Sequence, residues 1–160
     1  MSQAVADKVK GRVKTVSVSD AYKLAPWADI LVSTDGRWWK HHPEAVELPK
    51  PKFSATHHWN AVHGVESCLE MGTHVNSGLL ACHIAIKYGA TKLLLLGFDF
   101  RPGHFFGDHP EPLKNTTTAR YEVFQKQFEG FNPFGVEIVN CTPYSGLRAY
   151  TMKDLDACLA

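Results

Sequence analysis

The stretch Gly72–Asp99, GTHVNSGLLACHIAIKYGATKLLLLGFD, constrains this chain more than any other because it reads as loop, helix, turn and strand in quick succession. Asn76 suits an N-cap, since its side-chain oxygen can accept an orphan amide at the helix start, and Ser77 and Gly78 keep the first turn open to a ligand. Gly89 is placed to stop the helix, because it tolerates the left-handed backbone that a C′ position often requires. Lys92–Phe98 is then a nearly continuous apolar run, the pattern of a strand covered on both faces, and is expected to be a central parallel strand. Asp99 and the loop 101–110 would follow its carboxyl end, where open α/β sheets bind their ligands.

The remaining segments extend the same grammar. Residues 3–10 suit a modest helix or arm, 13–19 a strand rich in β-branched residues, and 20–27 a short helix halted near Pro26. Ile30–Thr34 reads as a second strand. Pro43, Pro49 and Pro51 leave room for one short helix at most, followed by a strand over 53–59 and a short extra strand over 65–69. Tyr121, Phe124, Phe128 and Phe131 recur at helical spacing and predict a helix over 117–131. A last strand over 136–141 and a terminal helix over 152–159 complete the pattern. Strands separated by helical segments predict an α/β fold with a mostly parallel central sheet.

Composition narrows the function classes. A chain of 160 residues is read as a single domain, with 1–12 as a flexible or helical arm, because a domain of this size hides roughly 70% of its unfolded surface. Seventeen basic against 16 acidic residues leave a net charge of +1, too small a field to hold a polyanion, so nucleic acid is not expected as a partner. The four cysteines form no Cys-x-x-Cys pair and fall in apolar surroundings, which predicts buried reduced thiols, with no metal and no cofactor assigned. Without a signal core or an apolar span of about 20 residues, no membrane role is expected and the location is read as cytoplasmic. Trp27, Trp38, Trp39 and the phenylalanines of the 117–131 helix exceed what a small sheet needs to cover itself, which predicts a homo-oligomer.

The densest polar cluster is the loop after the leucine strand, with Asp99, Arg101, His104, Asp108 and His109. One reading is ligand capture, with Arg101 or a protonated histidine on a phosphate and Asp108 on a hydroxyl; the other is a loop ordered by its own side chains. Metal binding is disfavoured because no pair has helical His-x-x-x-His spacing. Asn76-Ser77-Gly78 offers amides and the positive end of a helix dipole to an anion, or is a capped helix and no more. Asp35, in the Asp35-Gly36-Arg37 turn, either meets a ribose or base or caps the turn before Trp38. Thr142, Tyr144 and Ser145 follow the last strand and could close over a base or sugar. Because the helix runs back antiparallel to the strand that follows it, its start and the strand's carboxyl end are expected to line one pocket. Neither a P-loop, a Gly-x-Ser-x-Gly elbow nor a full dinucleotide fingerprint is present.

Motif order carries a resemblance. Asn76-Ser-Gly with its small-residue helix, Gly89-Ala-Thr-Lys-Leu-Leu-Leu-Leu-Gly-Phe-Asp-Phe, Leu24-Ala-Pro-Trp-Ala-Asp-Ile with Asp35 and Trp38-Trp39, Gly107-Asp-His-Pro, and Val139-Asn-Cys-Thr-Pro-Tyr-Ser-Gly-Leu resemble a phage-encoded Rossmann-like group from about Val13 onward. That group is distantly similar to 6-hydroxymethylpterin pyrophosphokinase-like proteins and to bacterial sialyltransferases. The resemblance implies a Rossmann-like three-layer sandwich and a nucleotide-like small molecule at the carboxyl edge of the sheet. Relatives begin with a strand and a Gly-Pro-Ser type loop approaching the nucleotide phosphates, and no such loop precedes Val13. Losing that means of holding a donor favours binding over group transfer, for instance sequestration of a host immune signal. The alternative is a nucleotide-dependent glycosyl- or pyrophosphoryl-type transferase, with His104 or His109 as general base.

Overall fold

The computed structural model describes residues 1–55, 64–72, 74–101, 107, 113 and 116–160. The chain is α/β and divides into two compact units, Ser2–Ala81 and Cys82–Ala160 together with Met1. Among the described residues every strand pairing in both units is parallel.

The first unit opens with α1 (Gln3–Val9), capped by Ser2, whose hydroxyl accepts from the Val5 amide, and buries Ala6 and Val9. Strand β1 (Val16–Val18) leads through a 3-10 helix (Ser19–Lys23) to β2 (Ile30–Val32). Two short helices follow, α2 (Gly36–His41) and α3 (Pro43–Val46), the latter with Pro43 at its start, where a missing N–H costs nothing. Then come β3 (Lys52–Ser54) and β4 (Glu66–Ser67). The sheet order is β1-β2-β3-β4, with Leu31 opposite Ser17 on one side and Lys52 on the other. All three β2 residues are buried, as an inner strand requires. Trp38 and Trp39 pack edge to face with centroids 5.0 Å apart, and the Trp39 indole donates to the Ser33 carbonyl at 2.9 Å. Aromatics of this size bring a large buried area, and a donor left unpaired there would be costly.

Helix α4 (Ser77–Lys87) begins in the first unit and ends in the second. It starts at Asn76 and stops at Gly89, whose φ of +88° is the left-handed conformation expected from the sequence. The second unit continues with β5 (Lys92–Leu95), α5 (Thr118–Glu129), β6 (Glu137–Asn140), β7 (Thr151–Met152) and α6 (Leu155–Leu159). Its sheet order is β5-β6-β7, so β6 is the inner strand, and Ile138–Asn140 is buried. Phe128 of α5 meets Phe98, Phe100 and Tyr150, with centroids 5.5 to 6.0 Å apart, and burying it contributes roughly 2 kcal/mol.

One expectation is corrected here. The leucine run forms a four-residue strand in the outer position of its sheet among the described residues, and only Leu95 of β5 is buried. Gly97, at φ +75°, turns the chain before the run is finished. Apolar content reports side-chain chemistry and cannot say which neighbour bonds the backbone, so it misplaced the strand. Of the aromatics behind the expected self-association, Trp38 and Trp39, with Phe128 of the α5 helix, are buried. No described helix is long and apolar enough to cross a membrane.

Candidate functional site

In the second unit the register Leu95 opposite Asn140 brings the carboxyl ends of β5 and β6 side by side. The segments leaving them are tied together. The Cys141 amide donates to the Leu95 carbonyl at 2.9 Å. The Thr142 hydroxyl accepts from the Phe98 amide at 2.9 Å and donates to the Leu95 carbonyl at 3.3 Å. Ser145 donates its hydroxyl to the Phe98 carbonyl and accepts from the Leu147 amide at 3.0 Å. Buried Asn140 accepts from the Thr142 amide and donates to the Leu147 carbonyl, so each polar end of its amide is used. Finally, the Gly146 amide donates to the Asp99 carbonyl at 2.7 Å, and a Cβ at Gly146 would lie 2.6 Å from the Phe100 carbonyl oxygen. Only glycine allows the two backbones to approach this closely.

Thr142 and Ser145, both expected to touch a ligand, therefore hold the two strand-end loops to each other. What this arrangement presents outward is different. Tyr144 is 81% exposed, and its φ of +56° matches Phe100 across the strand end at +51°. Non-glycine residues in this region are strained, and such strain gathers at ligand sites. The Asp99 carboxylate is 51% exposed, with the Met1 amino group 3.9 Å away. Burial and the charge of Asp99 push the Tyr121 phenol above its usual value. Arg101 is exposed. His104, Asp108 and His109 lie outside the described residues.

In the first unit, Asn76 caps α4 by accepting from the Gly78 amide at 2.8 Å and the Leu79 amide at 3.3 Å. An anion drawing on those amides must displace the Asn76 side chain. Ser77 turns back to the end of β2, accepting from the Thr34 amide at 3.0 Å and lying 2.8 Å from the Thr34 hydroxyl. Asp35 accepts from the Arg37 amide at 2.9 Å, the capping role that the sequence allowed beside a ligand contact.

The first unit also contains a polar cluster that the sequence did not single out. Asp20 is 3% exposed, yet its carboxylate accepts from Lys23 Nζ at 2.6 Å and from the Trp38 indole at 2.9 Å, with His42 Nε2 3.6 Å away. His42 Nδ1 lies 3.1 Å from Glu44, which also accepts from the Tyr22 hydroxyl. Burial alone would raise the Asp20 carboxyl, but the bonds from Lys23 and Trp38 and the nearby His42 hold it below its usual value. Burial and the Glu44 carboxylate push the Tyr22 phenol up. The signal was the spacing of Trp38 and His42, which places both on one side of a helical turn, but nothing local tied them to Asp20.

No protein-family model, curated protein or solved structure matches the chain.

Proposed function

We propose that this protein binds a nucleotide-derived small molecule at the carboxyl ends of β5 and β6 and acts by holding it. The observation that carries the reading is the presentation of Tyr144, Asp99 and Arg101 on two clasped loops, with Tyr144 mostly exposed on left-handed backbone. An exposed phenol ring offers a stacking face for a base, a carboxylate accepts from ribose hydroxyls, and a guanidinium bonds phosphate oxygens. Thr142 and Ser145 keep that presentation fixed, which reduces the ordering cost of binding. A Rossmann-like three-layer sandwich, a homo-oligomeric state and a phage-type role in sequestering a host immune signal within the host cytoplasm belong to the same proposal.

The test is thermal shift against a panel of nucleotides, sugar nucleotides and cyclic dinucleotides, with mass spectrometry of the ligand recovered. At least one compound is expected to raise Tm, because binding only the native state stabilises it by mass action. Tyr144→Ala should weaken that compound's binding roughly 5- to 150-fold, as loss of one stacked base does. The compound should be recovered unchanged in mass. A flat panel on folded protein would remove the binding reading, and a converted product would replace holding with group transfer.

A further inference from the structure

The Cys141 thiol donates to the Cys158 sulfur at 3.8 Å, and both cysteines are free thiols. That separation is set by backbone anchors at both ends. Cys141 leaves the buried end of β6 with its amide on the Leu95 carbonyl at 2.9 Å. Cys158 stands on α6, where its amide donates to the Asp154 carbonyl at 3.2 Å and the Asp154 side chain caps the helix through the Ala157 amide. The chain entering α6 is itself fastened to β6, because the Lys153 amide donates to the Asn140 carbonyl at 3.1 Å. The other two cysteines, Cys68 and Cys82, are buried, and Cys82, with its thiol pushed up to about 12 by burial, is inert.

From this geometry we infer that Cys141 and Cys158 are a reversible dithiol–disulfide pair that pins α6 to the end of β6 when oxidised. A bonded pair of sulfurs is about 2.05 Å apart, so closing the gap asks for a movement of under roughly 2 Å, within reach of side-chain rotation and a small shift of a five-residue helix. The oxidant is a low-molecular-weight disulfide such as glutathione disulfide. Cys158, partly exposed, is the entry point, and Cys141 is buried behind it. The Cys158 thiolate attacks one sulfur of the oxidant, forming a mixed disulfide and releasing one glutathione thiolate, which takes up a proton. Cys141 then gives up its proton and attacks the Cys158 sulfur, releasing the second glutathione. Two thiols of the protein are oxidised and one glutathione disulfide is reduced. Burial, with Cys158 and Asp154 nearby, raises the Cys141 thiol, and Lys92 opposes the rise. Cys141 is therefore suited to the second, intramolecular step, where proximity compensates for a small thiolate fraction.

The experiment incubates the full chain at graded ratios of glutathione disulfide to glutathione, then maps peptides without reduction. A Cys141–Cys158 linked peptide, lighter by two hydrogens than its separate halves and undone by dithiothreitol, is expected. Oxidation should raise Tm by roughly 5 to 10 °C, because the cross-link closes a short loop in the unfolded chain. Cys158→Ser should abolish the link and the shift, and Cys141→Ser should leave Cys158 as a stable glutathione adduct. The proposal fails if wild type also stops at the glutathione adduct, if Cys158 links two copies of the chain, or if Cys158→Ser retains the Tm shift on oxidation.

Discussion

Two carboxylates show how differently the two units use charge. Asp20 lies inside the first unit with two donors bonded to its oxygens, whereas the Asp99 carboxylate stands half exposed at a strand end in the second, with the Met1 amino group 3.9 Å away. In the first unit Asp20, Lys23, Trp38, His42, Glu44 and Tyr22 close on one another. The second spends Thr142, Ser145 and Asn140 on its own backbone and leaves Tyr144, Asp99 and Arg101 outward. A buried and fully bonded carboxylate is a structural element whose loss is felt in folding, while an exposed one on a fixed loop is free to serve a ligand.

The comparison breaks first at Asp20. Asp20→Ala leaves the Trp38 indole without its acceptor and should cost about 3 to 5 kcal/mol in chemical denaturation, with the protein shown monodisperse before the measurement. The same carboxylate sets a pH limb. Its folded pKa lies below the ordinary 3.8, so its stabilisation is complete above that value and is lost as pH falls through the folded pKa. Acid unfolding followed by circular dichroism should steepen below about pH 4 in wild type, and Asp20→Asn should flatten that limb. Equal acid limbs would mean that Asp20 is not the buried anchor described above.

A smaller effect is expected at Gly146. A Cβ there meets the Phe100 carbonyl oxygen at 2.6 Å, so Gly146→Ala should cost about 1 to 3 kcal/mol and loosen the strand-end loops. Hydrogen exchange at the Phe98 amide reports the loosening independently of global stability. Unchanged exchange would show that the loops are held by other means. Smallest of all, Tyr144→Ala and Asp99→Ala should each leave stability within about 0.5 kcal/mol, since both side chains are largely exposed. A loss of more than 2 kcal/mol in either would erase the contrast between the units.

What the sequence made legible was local. Asn76 and Gly89 each act through backbone within four residues, and the structure places both as read. What the sequence did not reveal is long-range. Trp38 reaches Asp20 across 18 positions, and Ser145 reaches Phe98 across 47, distances at which no periodicity carries information. Thr142 and Ser145 were placed at the right strand end, but a hydroxyl in a sequence does not announce whether it will bond a ligand or the neighbouring loop. The outer position of β5 was hidden for a related reason, because strand order depends on which segments pair and not on how apolar each one is.

The clasp between the loops after β5 and β6 bears on how such a protein can change over time. With the Gly146 amide on the Asp99 carbonyl and Thr142 and Ser145 bonded across to residues 95 and 98, the backbone is a finished fixture. Among the described residues, the side chains at 99, 101 and 144 make none of those bonds. Under the proposed binding role, lineages can exchange those three residues one at a time, drifting from one small molecule to another, with little demand for compensating changes elsewhere in the chain. Glycine 146 and the two hydroxyls are where such drift should stop.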